Sequence, residues 1–373
     1  MEAYNCLTMP KGENELEKFR KRIDEIDETI LELLIERANL AKKIGEIKKH
    51  EGLTFHVPER EREILERLLE KNKENKESFP EPALVRIFRE IISACLALEQ
   101  PPKVGYLGPK ATFTHQAALH HFGISAKYVS LPTIRDVFEE VGRENVDYGV
   151  IPVENTIEGV VNRTLDMFLI IDNVKIVGEI VIPISLNLLS LASELSQIKR
   201  VYSHPHALAQ TRQWLDKHLP HAQRIEVEST AKAAEMALED ESAAAVASEA
   251  AAMVYNLNIL AKNIQENLNN YTRFLIIGKM EPRKTGKDKT TILFAVKDEV
   301  GALYKALESF YKNKVNLTKI ESRPTKEKSW DYVFFVDLEG HKEDPHVKRA
   351  IEELKERAKM VRILGSYPSA LRV

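Results

Sequence analysis

The first residues with chemical promise are two cations on one helical face. Leu16, Phe19, Ile23, Ile26, Ile30 and Leu33 recur at steps of three and four, and Leu40, Ile44 and Ile47 resume the register. That spacing predicts one long helix over 13–49. Four residues after Leu33, where the seam calls for an apolar side chain, stands Arg37. A cation there is costly unless it snorkels out or meets an anion. Lys48 lies further along the same helix, within about 20° of the same face and ~16 Å away along the axis. Two long cationic side chains so placed can grip opposite ends of a small dianion. Arg20 lies ~25 Å before Arg37 on a different face, out of reach within one chain. An antiparallel second copy could deliver it, which is a reason to expect a dimer.

Those cations need a bundle to hold them. A second helix starts at Pro58, a favoured first-turn residue, with Val57, Glu61, Ile64 and Leu68 as its apolar stripe and Arg60 beside Glu61. A third runs from about Glu81 to Glu99, with Leu84, Phe88, Ile91, Cys95 and Glu99 along one face. An edge position near the helix end is the plainer reading of Glu99. Three helices with Arg37, Lys48, Glu61 and Glu99 turned inward would form a bundle around an anionic ligand.

Gln100-Pro101-Pro102 is a stiff break, after which short strand patterns alternate with helical ones. This predicts parallel α/β sheets, and the long apolar run near 176–191 suggests two lobes with a cleft between them. Four polar clusters fall at strand ends: Thr112-Phe113-Thr114, Glu154-Asn155-Thr156, Ser203-His204-Pro205 with Gln210, and Thr272-Arg273-Phe274. Thr112 and Asn155 can equally be ordinary helix caps. Together the clusters supply hydroxyls, amides and one guanidinium, but no Ser-His-Asp set and no metal-ligand spacing. His120-His121 has no acidic ligand at useful spacing and reads as exposed or packing.

A polar linker, 283–289, leads to a βαββαβ order, the ferredoxin-like pattern. Its marks are Gly301-Ala302-Leu303 at a helix start and Glu321-Ser322-Arg323-Pro324 at a strand end, which reads as a binding or regulatory module.

Charge follows the same three-part division. Charged residues number 40 in the first 100, 36 in 101–280 and 35 in 281–373. A dilute middle segment suits a larger core flanked by two thin, surface-rich domains. The net charge of −3 offers no broad basic field for nucleic acid. No run approaches a membrane span, the N-terminus lacks a signal pattern, and neither a GxGxxG nor a P-loop occurs. Cys6 and Cys95 are the only cysteines and form no CxxC, so neither a disulfide framework nor a zinc site is expected, and a reducing cytoplasm is the default compartment.

The segments FRKRIDEID, LLIERANLAKKIGEIK, VPEREREILERL and IISACLALEQ resemble the all-helical chorismate mutase family over about 13–100. The resemblance implies substrate binding by Arg37, Lys48, Arg60, Glu61 and Glu99, with Arg20 arriving from a partner copy. Cys95 stands where several relatives have Ser, and Glu99 where several have Gln. The implied reaction, chorismate to prephenate, is a one-substrate rearrangement that needs no nucleophile and no cofactor. It needs the compact conformer held and the charge on the breaking ether oxygen stabilised, a role for Lys48. Glu99 can donate only when protonated, which burial favours.

GPKATFTHQAA, PVENTIEG, YSHPHALAQ, AAAVASEAAA and the closing TRF resemble prephenate dehydratase, in order, over nearly all of 103–280. Two positions depart from the pattern: Ala111, where Gly often precedes the TFT triplet, and His206, where Gln is common. The resemblance implies loss of water and carbon dioxide from prephenate to give phenylpyruvate. Thr272 is then the key catalytic hydroxyl, and Arg273 anchors a carboxylate on the pyruvyl side or orders the loop. Asn155, Thr156, Ser203 and Gln210 orient the substrate, with Thr112, Phe113, Glu154 and Phe274 completing the pocket. The GAL and ESRP marks resemble the ACT domain as fused to prephenate dehydratases. They imply phenylalanine binding by Gly301, Ala302, Leu303, Glu321, Ser322, Arg323 and Pro324, with Asn316 and Leu317, and end-product inhibition through coupled sites.

The expected architecture is therefore a helical mutase bundle (1–100), a two-lobed, periplasmic-binding-protein-like α/β domain (103–280) and a ferredoxin-like α+β module (288–373). The expected partners are chorismate, prephenate, phenylalanine and at least one further copy of the chain. Two other readings stay open. In one, the helical domain only dimerises; in the other, the cleft senses an aromatic acid without turning it over.

Overall fold

A computed structural model of the chain describes residues 11–53, 56–324 and 332–371; Cys6 lies outside them. Three helices come first: α1 (Lys11–Glu51), α2 (Pro58–Glu74) and α3 (Glu81–Glu99). Both α2 and α3 carry Pro in their first turn, where no backbone donor is lost.

The middle domain divides into two lobes. The first holds β1 (Lys103–Leu107), α4 (Phe113–Phe122), β2 (Lys127–Leu131), α5 (Ile134–Gly142), β3 (Tyr148–Asn155), β4 (Gly159–Val160), α6 (Asn162–Ile170) and β5 (Lys175–Pro183). The second holds β6 (Asn187–Ser190), β7 (Arg200–Ser203), α7 (Pro205–Gln210), α8 (Arg212–His218), β8 (Gln223–Glu226), α9 (Thr230–Leu238), β9 (Ala243–Ala247), α10 (Glu249–Tyr255) and β10 (Asn258–Ala261). The chain then returns to the first lobe as β11 (Tyr271–Gly278). Strand orders are β2-β1-β3-β11-β5, with β4 on β3, and β10-β6-β9-β7-β8.

Both sheets are mixed rather than parallel. The returning β11 runs antiparallel to β3 and β5, and β6 runs antiparallel to β9 and β10. The apolar run near 176–191 is two strands in two different sheets: the chain leaves the first sheet after β5, builds the second from β6 to β10, and re-enters the first as β11. Local chemistry sets the helix starts. Thr112, Thr133, Ser229 and Ser248 each accept a backbone N–H from the first turn of α4, α5, α9 and α10. In the second lobe Ala231, Ala233, Ala234 and Ala237 meet the alanines of β9, and such small side chains let α9 lie close on its sheet.

The last domain is β12 (Asp288–Ala295), α11 (Ala302–Lys312), β13 (Leu317–Pro324), β14 (Tyr332–Glu339), α12 (Pro345–Arg357) and β15 (Met360–Pro368), with strand order β13-β14-β12-β15. It does not stand apart. Leu293, Val333, Phe335, Leu364 and Tyr367 share one core with Ile151, Val153, Ile176, Leu275 and Ile277 of the first lobe. Contact is so close that a Cβ on Gly365 would fall 2.0 Å from the Ile176 carbonyl oxygen.

Candidate active sites

The first site lies between α1 and α3. Their contact runs along the small residues Ala41 and Gly45, both buried. Arg37 Nη1 donates to the Ile91 carbonyl at 3.4 Å, and Lys48 Nζ donates to Glu99 Oε2 at 3.1 Å. Cys95 is buried one turn before Glu99. The groove thus brings Arg37, Lys48, Cys95 and Glu99 together, two cations and one carboxylate. Glu99 accepts the Lys48 hydrogen bond through Oε2.

The other candidate residues of this domain lie apart from Lys48 and Glu99 within one chain. The heptad face of α1 is not covered by α2 or α3: Phe19, Ile23, Ile30 and Leu33 are 64%, 57%, 47% and 59% exposed. Arg20 lies exposed on the same helix. Arg60 is exposed and pairs with Glu63 at 3.0 Å. Glu61 does not face Lys48, because Glu61, Arg62 and Leu65 turn together toward the first lobe. Arg62 reaches Glu66 and the Ser369 carbonyl, docking α2 on the C-terminal tail.

Glu61 instead enters a pocket among α2, α3, α4 and the first lobe, lined also by His56, Arg89, His121, Tyr148 and Ile276. His56 Nε2 lies 3.5 Å from Glu61 Oε2. Burial acts to raise the Glu61 pKa, but the His56 hydrogen bond and the charges of His121, His56 and Arg89 outweigh it and hold the carboxyl below its usual range. Neither Lys48 nor Thr272 lines this pocket.

The second site is the cleft between the lobes. Pairing of β11 with β3 sets Thr272 opposite Asn155. Asn155 Nδ2 lies 2.8 Å from Thr272 Oγ1, 2.8 Å from Asn270 Oδ1 and 3.2 Å from the Tyr271 carbonyl, so its two hydrogens serve two close acceptors and a third, longer one. Asn155 Oδ1 accepts the backbone N–H groups of Ile157 and Glu158, which fixes the amide's orientation. Asn270 Nδ2 donates to Gln210 Oε1 at 2.9 Å, across the cleft. Glu158 completes the bridge, 2.5 Å from His206 Nδ1 and 3.4 Å from Gln210 Nε2. Phe113 packs against the cores of both lobes. Ala111 has φ 67°, the left-handed conformation for which Gly is the easier residue.

Several expected substrate contacts lie elsewhere. Thr272–Phe274 begins β11 instead of following a strand, so alternation sends Thr272 and Arg273 to opposite faces. Arg273 faces the C-terminal module, bonded to Glu179 (2.7 Å), Asp337 (2.5 Å) and the Tyr367 hydroxyl (3.1 Å). Burial acts to lower its pKa, but Tyr367, Asp337 and Glu179 outweigh that and raise it well above its ordinary value. Glu154, opposite Arg273, likewise faces away from the cleft and pairs with Lys319 at 2.8 Å. Phe274 is buried in the core under α4. Ser203 is fully buried and donates to the Val246 carbonyl, a strand tie. Thr112 caps α4, and Thr156 braces the 269–271 segment. Asn270, Glu158, Glu179 and Asp337 escaped the sequence reading. A carboxylate flanked on both sides by apolar residues, as Glu179 is nearly in KIVGEIVIP and Asp337 is in YVFFVDLE, is a signal, since buried carboxylates come paired.

In the third domain β13 runs parallel to β12, each being antiparallel to β14. The start of α11, with Gly301 at φ 80°, and Glu321–Pro324 therefore lie at the same end of the sheet. Asn316 and Leu317 lie at the other end of β13, about a helix length away, and do not join Gly301, Ala302 and Leu303 within one chain. Arg323 pairs with Asp166 of α6 at 2.6 Å. Among the described residues no His, Cys, Asp and Glu cluster can hold a metal ion, and no helix is long and apolar enough to cross a membrane.

Comparison with known proteins divides the chain as its geometry does. Family models match for chorismate mutase type II at residues 19–100, prephenate dehydratase at 104–282 and the ACT domain at 290–356. A bifunctional chorismate mutase/prephenate dehydratase of Aquifex aeolicus is 66% identical, over 96% of this chain and 99% of its own length. One from Pseudomonas aeruginosa is 43% identical over 96% and 99%. Among solved structures, a prephenate dehydratase of Arthrobacter aurescens in complex with L-Phe is 36% identical, with a TM-score of 0.66, covering 71% of this chain and 90% of that one. This chain belongs to the family of bifunctional chorismate mutase/prephenate dehydratases.

Proposed function

We propose that the chain rearranges chorismate to prephenate in the α1–α3 groove and converts prephenate to phenylpyruvate in the interlobe cleft. Arg37 and Lys48 supply positive charge for a dicarboxylate whose ether bond breaks as a carbon–carbon bond forms. Lys48 exchanges its Glu99 contact for the ether oxygen, where negative charge gathers. Arg20 joins from a second copy, whose α1 covers the exposed heptad face; burying that stripe is the reason to expect a homodimer.

The observation that carries the second reaction is the 2.8 Å bond from Asn155 to Thr272. With the Thr272 oxygen accepting from the amide, its own proton is left to point at the departing hydroxyl. The ring carboxylate leaves as carbon dioxide, its bonding pair enters the ring, and hydroxide departs with one proton as water. A carboxylate about to be lost is better left without an ion pair, and Arg273 faces away from it. Phenylalanine binding at the Gly301 and Glu321–Pro324 end supports feedback inhibition, with Asn316 and Leu317 supplied from another copy. An ultraviolet assay of phenylpyruvate from chorismate, with and without phenylalanine, tests this reading. Binding of chorismate or prephenate without product would sink it.

A further inference from the structure

We propose that Arg273 is a positioning residue for Thr272, and that with Glu154 it carries the state of the C-terminal module to the dehydratase cleft. This rests on the dehydratase reading of Thr272. The same two strands present both machineries back to back. On the cleft side Thr272 stands beside Asn155; on the other side, one residue along each strand, Arg273 stands beside Glu154.

Every strand of the C-terminal sheet reaches this pair or its partners. Asp337 comes from β14 and Tyr367 from β15, while Lys289 of β12 pairs with Glu179 at 2.9 Å. Lys319 of β13 pairs with Glu154, two residues before Glu321 at the start of the proposed phenylalanine motif. A closed ring of hydrogen bonds ties the centre: Arg273 donates to Tyr367 and to Asp337, and Thr291 bridges the Tyr367 hydroxyl (2.7 Å) and Asp337 (2.6 Å). The cations Arg273, Lys289 and Lys319 balance the carboxylates Glu154, Glu179 and Asp337. Glu179 and Asp337 are buried and Arg273 nearly so, and unpairing a buried charge is costly, which ties the sheet to β11 there; the more open Glu154 ties β3 to Lys319.

Thr272 and Arg273 share a peptide unit, as do Glu154 and Asn155. A shift of the C-terminal sheet that draws on Arg273 or Glu154 therefore alters the Asn155–Thr272 contact directly. A small cavity lined by Arg273, Thr291, Lys319 and Asp337 leaves room for a second arrangement. A cluster serving only as glue would affect stability and both activities alike. A coupling element changes the dehydratase's response to phenylalanine while phenylalanine still binds.

The test uses the full chain carrying Asp337→Asn or, separately, Lys319→Met. Phenylalanine binding is measured by calorimetry and prephenate turnover with and without phenylalanine, with chorismate consumption as a check on folding. Expected are mutase turnover and phenylalanine affinity within about twofold of the unaltered chain, and a drop of about fivefold in the inhibition factor. Arg273→Gln should lower kcat for prephenate with KM unchanged, and Arg273→Lys should recover part of the loss. Inhibition of both charge variants as strong as in the unaltered chain overturns the proposal. So does an Arg273→Gln enzyme whose KM rises while kcat holds, since Arg273 would then touch substrate. An unaltered chain that dehydrates prephenate but ignores phenylalanine overturns the coupling alone. One that forms no phenylpyruvate overturns the dehydratase reading with it.

Discussion

A side chain at Gly45 would collide with Glu99: a Cβ built there falls 3.0 Å from the Cβ and Cγ of Glu99 and 3.2 Å from its Cα. The missing side chain is what lets α3 approach α1 closely enough for Glu99 to meet Lys48. Gly45→Val should force the helices apart at a cost of about 1–3 kcal/mol. Chorismate turnover should fall at least about tenfold, which corresponds to ~1.4 kcal/mol in the barrier, while prephenate dehydration is kept. Equal loss of both activities would mean general unfolding.

On the proposed reading a second copy covers the exposed α1 stripe. Ile23 and Ile30 are 57% and 47% exposed in one chain, and Arg20 is on the same helix. Replacing both isoleucines with Asp should shift the protein toward smaller species in analytical ultracentrifugation. Mutase turnover should be lost, and Thr272-dependent dehydration should survive. Unchanged sedimentation would remove α1 as the contact.

Removing the C-terminal module should do more than abolish phenylalanine sensitivity. Leu293, Val333, Phe335, Leu364 and Tyr367 cover the outer face of the first lobe. Each such side chain is worth about 1.5–3 kcal/mol when buried, against a total domain stability of roughly 5–15 kcal/mol. A chain ending at residue 286 should therefore aggregate or bind a hydrophobic dye strongly. A stable, monodisperse fragment would contradict the shared core.

Acid should loosen the junction between the helical domain and the first lobe. Burial, with the charges of Arg89, His56 and His120, lowers the His121 pKa to about 3 despite the attraction of Glu61. The unfolded imidazole takes its proton near ~6.5. Between those values the unfolded chain binds more protons, so stability rises with pH and is lost as pH falls from the upper value toward the lower. The lowered Glu61 carboxyl acts in the same direction at the acid end. His121→Gln should flatten the pH dependence of the melting temperature between pH ~6.5 and ~5, an effect on the order of 1 kcal/mol. A slope identical to that of the unaltered chain would show that His121 does not titrate this way.

Much of the architecture was legible because periodicity reports on neighbours close in sequence. The long helix, the Pro58 start, the two-lobed middle and the βαββαβ tail all follow from spacing and punctuation. The approach of Arg37 and Lys48 to α3 was legible for the same reason, since helix geometry relates residues along one helix and turns one face of α3 toward it. Facing was harder to read. A heptad stripe does not say whether its cover is another helix of the same chain or a second copy, and in α1 the intrachain contact went to Ala41 and Gly45. Glu61 is on the buried side of α2 as its stripe suggests, but the neighbour it meets is the first lobe of the next domain and not Lys48. Thr272 and Arg273 read as one motif, yet strand alternation separates them onto two faces. The partners that decide this, Glu179 and Asp337, lie 94 and 64 residues away. No local pattern reaches that far.

The most direct measurement gives Thr272→Ala chorismate as its only substrate and follows both prephenate and phenylpyruvate. The unaltered chain should carry chorismate through to phenylpyruvate. The variant should consume chorismate at the normal rate and stop at prephenate, with dehydration reduced by a hundredfold or more, on the scale of removing a proton donor, about 10² to 10⁴. Continued formation of phenylpyruvate by Thr272→Ala would contradict the assignment of the cleft and of the hydroxyl that Asn155 holds in it.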